Sequence, residues 1–421
     1  MSHSLITTLL TLKGNPRGCV YTEPLWGIPF NLIAPYASVY MVALGLSDKD
    51  VGIVLSVSWG FQVFWALMSG ALTDKLGRRR TTLIFDILAW GVPAVIWAFA
   101  QDFWWFLAAG IANSIWRVTL NSWSCLLVED AEHDQLVDIY TWIHISNLAA
   151  GFVVPLAGIL VARYTLVPTM QVLYAFGAIL FTAKAITTYV MTQETAQGVV
   201  RMAETRQQSL FAVLGEYHGV VRDILRRPET LFTAAIMLIV AIFGLVNGTF
   251  WAILATEKLN VPPEVLSIFP FVRSAVALAF FFFVMPRINR LPFHIPLAAG
   301  FGAYVFGQVA LVTAPEQGYA FLVLSVVLEA CAYAAVSPLV DKLIVLTIDA
   351  QERARIQSIL YVGVILLTAP FGWIAGSLSS MNKNLPFLLN IVLLLVGAGL
   401  AWIAGRIAEE RERAAVGVAM D

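Results

Sequence analysis

Four ionisable side chains lie deep within long apolar stretches of this sequence, where charged residues are otherwise scarce. They are Arg117, Lys184, Arg273 and Glu329. A charged side chain near the middle of a membrane-spanning helix costs at least ~2.5–3.5 kcal/mol on insertion scales, so its presence there indicates a function by default. We therefore take these four residues as the first candidates for binding a solute or an ion.

The two arginines predict anion binding, because a guanidinium group binds a carboxylate or a phosphate through two parallel hydrogen bonds. Arg117 and Arg273 lie in different halves of the chain, and we predict that they hold an anionic solute between them. Two structural alternatives stay open: Arg117 bound to backbone carbonyls, and Arg273 paired with Glu329. Lys184 is expected to line the same cavity, to reach the membrane surface or to pair with Asp86.

Polar and aromatic side chains flank Arg117 in the sequence. Asn113, Arg117 and Asn121 recur at every fourth position and therefore share one face of a helix, with Trp116 beside them. Aromatic side chains of this kind can stack on sugars or on flat organic molecules. The predicted solute-binding set consists of Arg117, Arg273, Asn113, Asn121, Trp116, Asn31, Asn247 and Lys184.

Glu329 is the first candidate for carrying a proton. A buried carboxylate favours its protonated form unless a nearby cation keeps it ionised, so Glu329 predicts either proton coupling or a static pair with Arg273. His144 is the second candidate for proton coupling, with a structural role as its alternative. Asp86 is expected nearer the inner end of its segment, which leaves Glu329 as the one deep carboxylate.

The composition assigns these residues to a membrane protein. The chain has 421 residues, of which 59% are hydrophobic and 13% are charged, whereas soluble domains carry about 25% charged residues. About twelve apolar segments are long enough to cross a bilayer. They cover residues 24–45, 49–72, 81–100, 103–127, 137–162, 168–191, 230–256, 263–285, 292–313, 318–346, 355–379 and 385–405.

Lys and Arg residues are concentrated in every second loop, which places those loops and both termini in the cytoplasm. The segments form two groups, and Asn31 and Asn247 hold similar positions in them, as expected for an internal repeat. We predict a cytoplasmic lead-in at 1–23, a six-helix bundle at 24–191, a cytoplasmic linker with an amphipathic helix at 192–229, a second six-helix bundle at 230–405 and a cytoplasmic tail at 406–421.

One short polar loop between the second and third segments combines glycines with charges of both signs. It contains Gly70, Asp74, Lys75, Gly77, Arg78 and Arg79. This spacing resembles the loop signature of the major facilitator superfamily (MFS): Gly, three residues, Asp, Arg or Lys, one residue, Gly and two basic residues. The resemblance implies the MFS fold, an all-α integral membrane protein whose two six-helix bundles open alternately to each side of the membrane.

The same resemblance implies that these six residues form a gating loop. Asp74, with Lys75 and Arg78, is expected to hold the inner ends of the two bundles together when the cavity faces outward. The opposite charges at one helix end motivate this expectation.

The resemblance and the deep charged residues together predict a secondary active transporter and not an enzyme. We expect a proton-coupled carrier of a small organic anion; the alternatives are an exporter of hydrophobic or aromatic compounds and a sugar transporter. A membrane-embedded enzyme would need a nucleophile with a base or a metal cluster, and the five His and three Cys residues are scattered.

A second alternative to a transporter is a non-transporting sensor, which would usually add a soluble domain.

We expect a monomer in the plasma or inner membrane, with a small solute and a coupling proton as partners and with no cofactor, metal or nucleic acid.

Overall fold

The computed structural model describes residues 4–132, 135–206, 228–288, 292, 294–347 and 353–418. Within these residues the chain forms helices and turns and contains no strand. The all-α architecture predicted from the sequence is therefore confirmed. The chain divides into two compact units, Met1–Leu46 with Val54–Gly215 and Ser47–Ile53 with Glu216–Asp421.

Twelve α-helices are described in the first half of the chain. They are α1 (Ser4–Thr11), α2 (Gly14–Ile33), α3 (Ala37–Ala43), α4 (Asp48–Leu76), α5 (Arg78–Asp86), α6 (Val92–Ala98), α7 (Phe103–Asn113), α8 (Trp116–Val128), α9 (Leu136–Ala150), α10 (Pro155–Tyr164), α11 (Leu166–Met191) and α12 (Ala196–Thr205). Short 3₁₀ turns at Ala34–Tyr36 and Gly151–Val153 join α2 to α3 and α9 to α10, and a π-helical turn at Ile87–Gly91 joins α5 to α6.

The described helices of the second half are α13 (Pro228–Ile253), α14 (Ile268–Phe283), α15 (Met285–Ile288), α16 (His294–Thr313), α17 (Tyr319–Thr347), α18 (Arg353–Met381) and α19 (Leu385–Val418). The apolar core of the second unit includes Ile236 of α13, Phe301 of α16 and Leu394 of α19, all fully buried. A Cβ atom on Gly397 would lie 2.6 Å from the Phe301 ring. Glycine at this position therefore lets α16 and α19 approach closely.

Eleven helical stretches within the described residues are long and apolar enough to cross a membrane. The remaining predicted segment, 103–127, is helical but broken, because α7 ends at Asn113 and α8 begins at Trp116. At the break, Ser114 Oγ donates to the Ile111 carbonyl at 2.5 Å. A side chain that bonds to the nearby backbone in this way competes with regular helical pairing.

The first spanning helix begins earlier than residue 24, where the sequence analysis placed its start. α2 starts at Gly14, and Pro16 is tolerated in its first turn because the N–H that proline lacks has no helical partner there. Pro24 lies inside α2 and marks no boundary. This difference matters because it places Glu23 inside a spanning helix and not in a lead-in.

The predicted linker begins with a described helix, α12. Thr195 caps its start, since Thr195 Oγ1 accepts a hydrogen bond from the Gly198 N–H at 2.9 Å. The predicted amphipathic helix, whose apolar positions begin at Leu210, lies outside the described residues.

Candidate functional site

Glu329, in α17, is 1% exposed, and its carboxylate accepts hydrogen bonds from four side chains. Oε1 accepts from Gln308 Nε2 at 2.6 Å and from Ser325 Oγ at 3.2 Å. Oε2 accepts from Asn247 Nδ2 at 2.9 Å and from Arg273 Nη2 at 3.1 Å. All four partners donate, and this pattern suits an ionised carboxylate, which can only accept.

The amide side chains around Glu329 belong to a buried network of hydrogen bonds. Gln308 Nε2 also donates to Asn247 Oδ1 at 3.0 Å, and Asn390 Nδ2 donates to Gln308 Oε1 at 3.2 Å. Asn390 Oδ1 is buried and has no hydrogen-bond partner within the described residues. The sequence analysis missed Gln308, Ser325 and Asn390, because it searched the spans for ionisable groups, whose insertion cost is far larger than that of neutral polar groups.

Arg273 joins this buried cluster to an accessible surface. Its side chain is 47% exposed, whereas that of Glu329 is 1% exposed. The ion pair between the two residues is one of the alternatives that the sequence left open. Nearly half of the arginine side chain is therefore left uncovered by the protein.

Arg117, in α8, contacts α4 and its own sequence neighbour. Arg117 Nε donates to Gln62 Oε1 at 2.9 Å. The guanidinium carbon lies 4.0 Å from the centroid of the Trp116 ring and 5.9 Å from that of Trp59, distances typical of cation–π interactions. Arg117 belongs to the first unit and Arg273 to the second, and the anion clamp between them stays a prediction.

The asparagines predicted for solute binding in the first unit donate to protein acceptors. Asn113 Nδ2 donates to the Ala89 carbonyl at 2.8 Å, and Asn121 Nδ2 donates to Thr73 Oγ1 at 3.1 Å. Asn31 Nδ2 donates to a carbonyl of its own helix at 2.8 Å. These bonds give each side chain a structural role, and their contact with a solute stays a prediction.

Lys184 and Asp86 form a buried ion pair in the first unit. Lys184 Nζ lies 2.6 Å from Asp86 Oδ2, and the two side chains are 6% and 2% exposed. This pairing was one of the alternatives for Lys184. His144 is exposed on α9, and its role in proton coupling stays a prediction.

A third charged residue, Glu23, interacts electrostatically with this pair and is 7% exposed. The expectation that Glu329 is the one deep carboxylate was therefore wrong, since Glu23 and Asp86 are both buried in spanning helices. Glu23 was missed because the sequence analysis began the first span after it. Pro16, which suits the first turn of a helix, was the signal that could have found it.

The loop between α4 and α5 places charges of both signs in contact. Gly77 has φ +85°, a left-handed backbone conformation that favours glycine. Arg78 Nη1 donates to Asp74 Oδ1 at 2.9 Å, and Arg78 Nε donates to Glu129 Oε2 at 3.0 Å.

Asp74 also binds the linker helix α12. Arg201 Nη2 donates to Asp74 Oδ2 at 2.8 Å, and this hydrogen bond, together with the negative charge of Asp74, raises the pKa of Arg201. Arg79 Nε donates to a carbonyl of α11 at 2.9 Å, and Lys75 is exposed. A Cβ atom on Gly70 would meet nothing within 4 Å, so crowding does not explain that glycine. The gating role of the loop stays a prediction.

At the opposite end of α4, the residues Ser47–Ile53 belong to the second unit. Asp48 Oδ2 accepts from Lys383 Nζ at 2.6 Å, and the same ammonium lies 2.5 Å from Glu257 Oε2. Burial lowers the pKa of Lys383, but its hydrogen bonds to these two carboxylates outweigh burial and raise it. A Cβ atom on Gly52 would lie 2.4 Å from a carbonyl oxygen of α18, so this packing requires glycine.

A family model described as Major Facilitator Superfamily matches residues 26–312, which is more than half of the chain. The chain belongs to the Major Facilitator Superfamily. It is therefore a multi-pass membrane transporter and not an enzyme.

Named relatives of this MFS transporter include multidrug resistance proteins. MdtG of Yersinia enterocolitica is 25% identical over 185 residues, which make up 42% of this chain and 43% of that protein. MdtG of a Rahnella species is 30% identical over 95 residues, which make up 21% of this chain and 22% of that protein. The chain thus matches less than half of the length of these relatives.

Solved structures similar to this MFS transporter cover nearly the whole chain. A crystal structure of the nucleoside transporter NupG has a TM-score of 0.67 at 17% identity, over 94% of this chain and 98% of NupG. The human organic anion transporter MFSD10 has a TM-score of 0.63 at 15% identity, over 92% of this chain and 99% of MFSD10. At these identities the similarity concerns the fold, and it confirms the MFS fold predicted from the loop.

Proposed function

We propose that this MFS transporter is a proton-coupled carrier of a small organic anion, with Glu329 as the proton-binding group and Arg273 as an anion-binding group. The observation that supports the proposal is the ion pair between a buried carboxylate and a half-exposed guanidinium, whose side chains are 1% and 47% exposed. One member of the pair is enclosed by protein, and we assign the solute to the uncovered part of the other.

The coupling follows from competition for Arg273. An ionised Glu329 competes with a solute carboxylate for the guanidinium group. When Glu329 binds a proton, its attraction for Arg273 falls, and the solute anion becomes the stronger partner. Proton and anion therefore bind together, and their charges offset each other where an unbalanced charge is costly.

Arg117 is the anion-binding group that the proposal assigns to the first unit. Gln62 and the Trp116 ring orient its guanidinium, and orientation is what bidentate binding of a carboxylate requires. A solute that binds groups of both units stabilises one conformation over the other, which alternating access needs. We expect a monomer in the plasma or inner membrane. The Lys and Arg distribution favours a cytoplasmic location for both termini and for the Asp74 loop.

Transport in proteoliposomes tests the role of Glu329. The probes are radiolabelled aliphatic and aromatic carboxylates, chosen by thermal-shift screening of the purified protein. Glu329→Gln is expected to abolish accumulation driven by a proton gradient and to leave counterflow exchange intact, because a neutral side chain permits solute binding but carries no proton. Glu264→Gln, which changes an exposed carboxylate of the second unit, is the control and should accumulate normally. Gradient-driven accumulation by Glu329→Gln at the wild-type level would contradict the proposal.

A second candidate function is export of aromatic or hydrophobic compounds. Trp26 stacks on Phe30 at 4.6 Å and meets Trp90 edge to face at 5.2 Å, and Phe30 is 37% exposed. The relatives named multidrug resistance proteins favour the same function. If neutral aromatic compounds raise the unfolding temperature and carboxylates do not, this second function replaces the first.

A further inference from the structure

A second buried charge cluster lies in the first unit and takes no part in the transport step proposed above. It consists of Glu23 on α2, Asp86 at the end of α5 and Lys184 on α11, which are 7%, 2% and 4% exposed. Lys184 Nζ donates to Asp86 Oδ2 at 2.6 Å. Glu23 interacts electrostatically with both residues.

The other groups that face this cluster are neutral. Asn147 of α9 hydrogen-bonds to Glu23, the Trp123 ring of α8 lies 5.6 Å from Lys184 Nζ, and the thiol of Cys19 on α2 is buried. With both carboxylates ionised, Lys184 compensates only one of them, and one negative charge is left uncompensated. A buried charge in that state is costly, and proteins usually remove it by protonation or by a counter-ion.

One atom of the cluster is not satisfied by the protein. Asp86 Oδ1 is buried and has no hydrogen-bond partner within the described part of the chain. The helix is also irregular at this point, because the π-helical turn Ile87–Gly91 begins at the next residue, and such turns are frequent at functional sites. A proton on Asp86 or on Glu23 would remove the uncompensated charge.

We propose that Glu23 and Asp86 together hold one bound proton in the first unit, with Lys184 as the fixed cation. A proton suits the cluster better than a metal ion, because a metal ion needs several oxygen ligands and would be repelled by the ammonium group that lies 2.6 Å from Asp86. This proton site is distinct from Glu329, which belongs to the second unit.

Infrared spectroscopy of the full-length protein in lipid, recorded at neutral pH, tests the proposal. Exposed carboxyl groups have ordinary pKa values of about 4 and are ionised there, whereas a protonated carboxyl group gives a separate carbonyl band. We expect the wild type to show this band, Glu23→Gln and Asp86→Asn each to lose it, and Glu329→Gln to keep it.

The loss in Asp86→Asn is the decisive result. In Asp86→Asn, the negative charge of Glu23 alone balances the positive charge of Lys184, so the cluster needs no proton. If the proton were held only because Glu23 is buried, the band would persist in this variant. Glu23→Asp keeps both carboxyl groups and should keep the band, which controls for misfolding of the amide variants.

Three results would overturn the proposal: a band that persists in Glu23→Gln and Asp86→Asn, a band lost in Glu329→Gln alone, or a band that disappears when sodium or potassium chloride is added at constant pH. The last result would assign the cluster to a metal cation. None of them measures transport, so a failure here leaves the proposed role of Glu329 to its own test.

Discussion

The two units bury charge in different ways. In the second unit, Glu329 is 1% exposed but its partner Arg273 is 47% exposed, and the closest atoms are 3.1 Å apart. In the first unit, both members of the pair are enclosed: Lys184 is 6% exposed and Asp86 is 2% exposed, with the closest atoms 2.6 Å apart. One pair therefore reaches an accessible surface, and the other does not.

This difference decides what each pair can do during a transport cycle. Removing one partner from a buried pair leaves an uncompensated buried charge and costs about 3–5 kcal/mol. In the Arg273 pair, the half-exposed cation can bind another anion when it loses its partner. The Arg273 pair is thus suited to partner exchange, whereas the Lys184 pair is suited to holding α5 and α11 in a fixed arrangement.

Replacement of Lys184 should have the largest effect on stability. Lys184→Met leaves two buried carboxylates without their cation, and we expect the free energy of unfolding to fall by about 3–5 kcal/mol. Arg273→Met is the matched variant and should lose less, because the Glu329 carboxylate that it leaves behind keeps three other hydrogen-bond donors. Denaturant unfolding of the purified variants in detergent measures both values.

The double variant Lys184→Met with Asp86→Asn is expected to recover part of the loss, because it removes one of the two carboxyl groups that lose their cation. Equal losses in Lys184→Met and Arg273→Met would show that exposure does not distinguish the two pairs, and the comparison would fail.

Replacement of Gln308 should have an intermediate effect. Gln308 is fully buried and bonds to Glu329, Asn247 and Asn390, so Gln308→Leu leaves polar groups unpaired. We expect a loss of about 1.5–3 kcal/mol, the range for hydrogen bonds to charged groups. Gln101→Leu, at an exposed position, should stay within about 0.5 kcal/mol of the wild type. A loss no larger than that of the control would mean that the hydrogen bonds of Gln308 do not stabilise the protein.

The sequence predicted the fold and the charged residues of both pairs because these signals are strong and local. Long apolar runs identify spanning helices, and the Asp74 loop carries the family signature. The cost of inserting a charge made Arg273, Glu329 and Lys184 conspicuous. Which residues pair could only be given as alternatives, because Lys184 and Asp86 are 98 positions apart and packing alone brings them together.

The residues that the sequence analysis missed have weaker signals. Glu23 follows a short apolar piece and two cations, Lys13 and Arg17; that piece is too short to span a bilayer, so the residue was assigned to the lead-in. Gln308 and Asn390 are neutral, and no insertion cost on the scale of a charge distinguishes them. The helix break at Ser114 lies inside the predicted span 103–127, and one hydroxyl group does not predict it. Hydropathy therefore finds helices and charges, whereas the polar groups around them depend on tertiary packing.

The substitution Arg273→Lys should have the smallest effect on stability and the most specific effect on function. The positive charge is retained and the position is half exposed, so we expect the free energy of unfolding to change by no more than about 0.5 kcal/mol. Lysine lacks the planar fork of arginine, and the loss of one of two parallel hydrogen bonds should weaken binding of a carboxylate by about tenfold, or about 1.4 kcal/mol. Isothermal titration with the carboxylate that gives the largest thermal shift measures this change, and Arg406→Lys, at an exposed arginine of α19, is the control.

Unchanged affinity in Arg273→Lys would mean that Arg273 acts as a point charge or does not contact the solute. A tenfold loss of affinity with unchanged stability would show that Arg273 acts in solute binding. Lys184 differs, because its replacement should lower the free energy of unfolding.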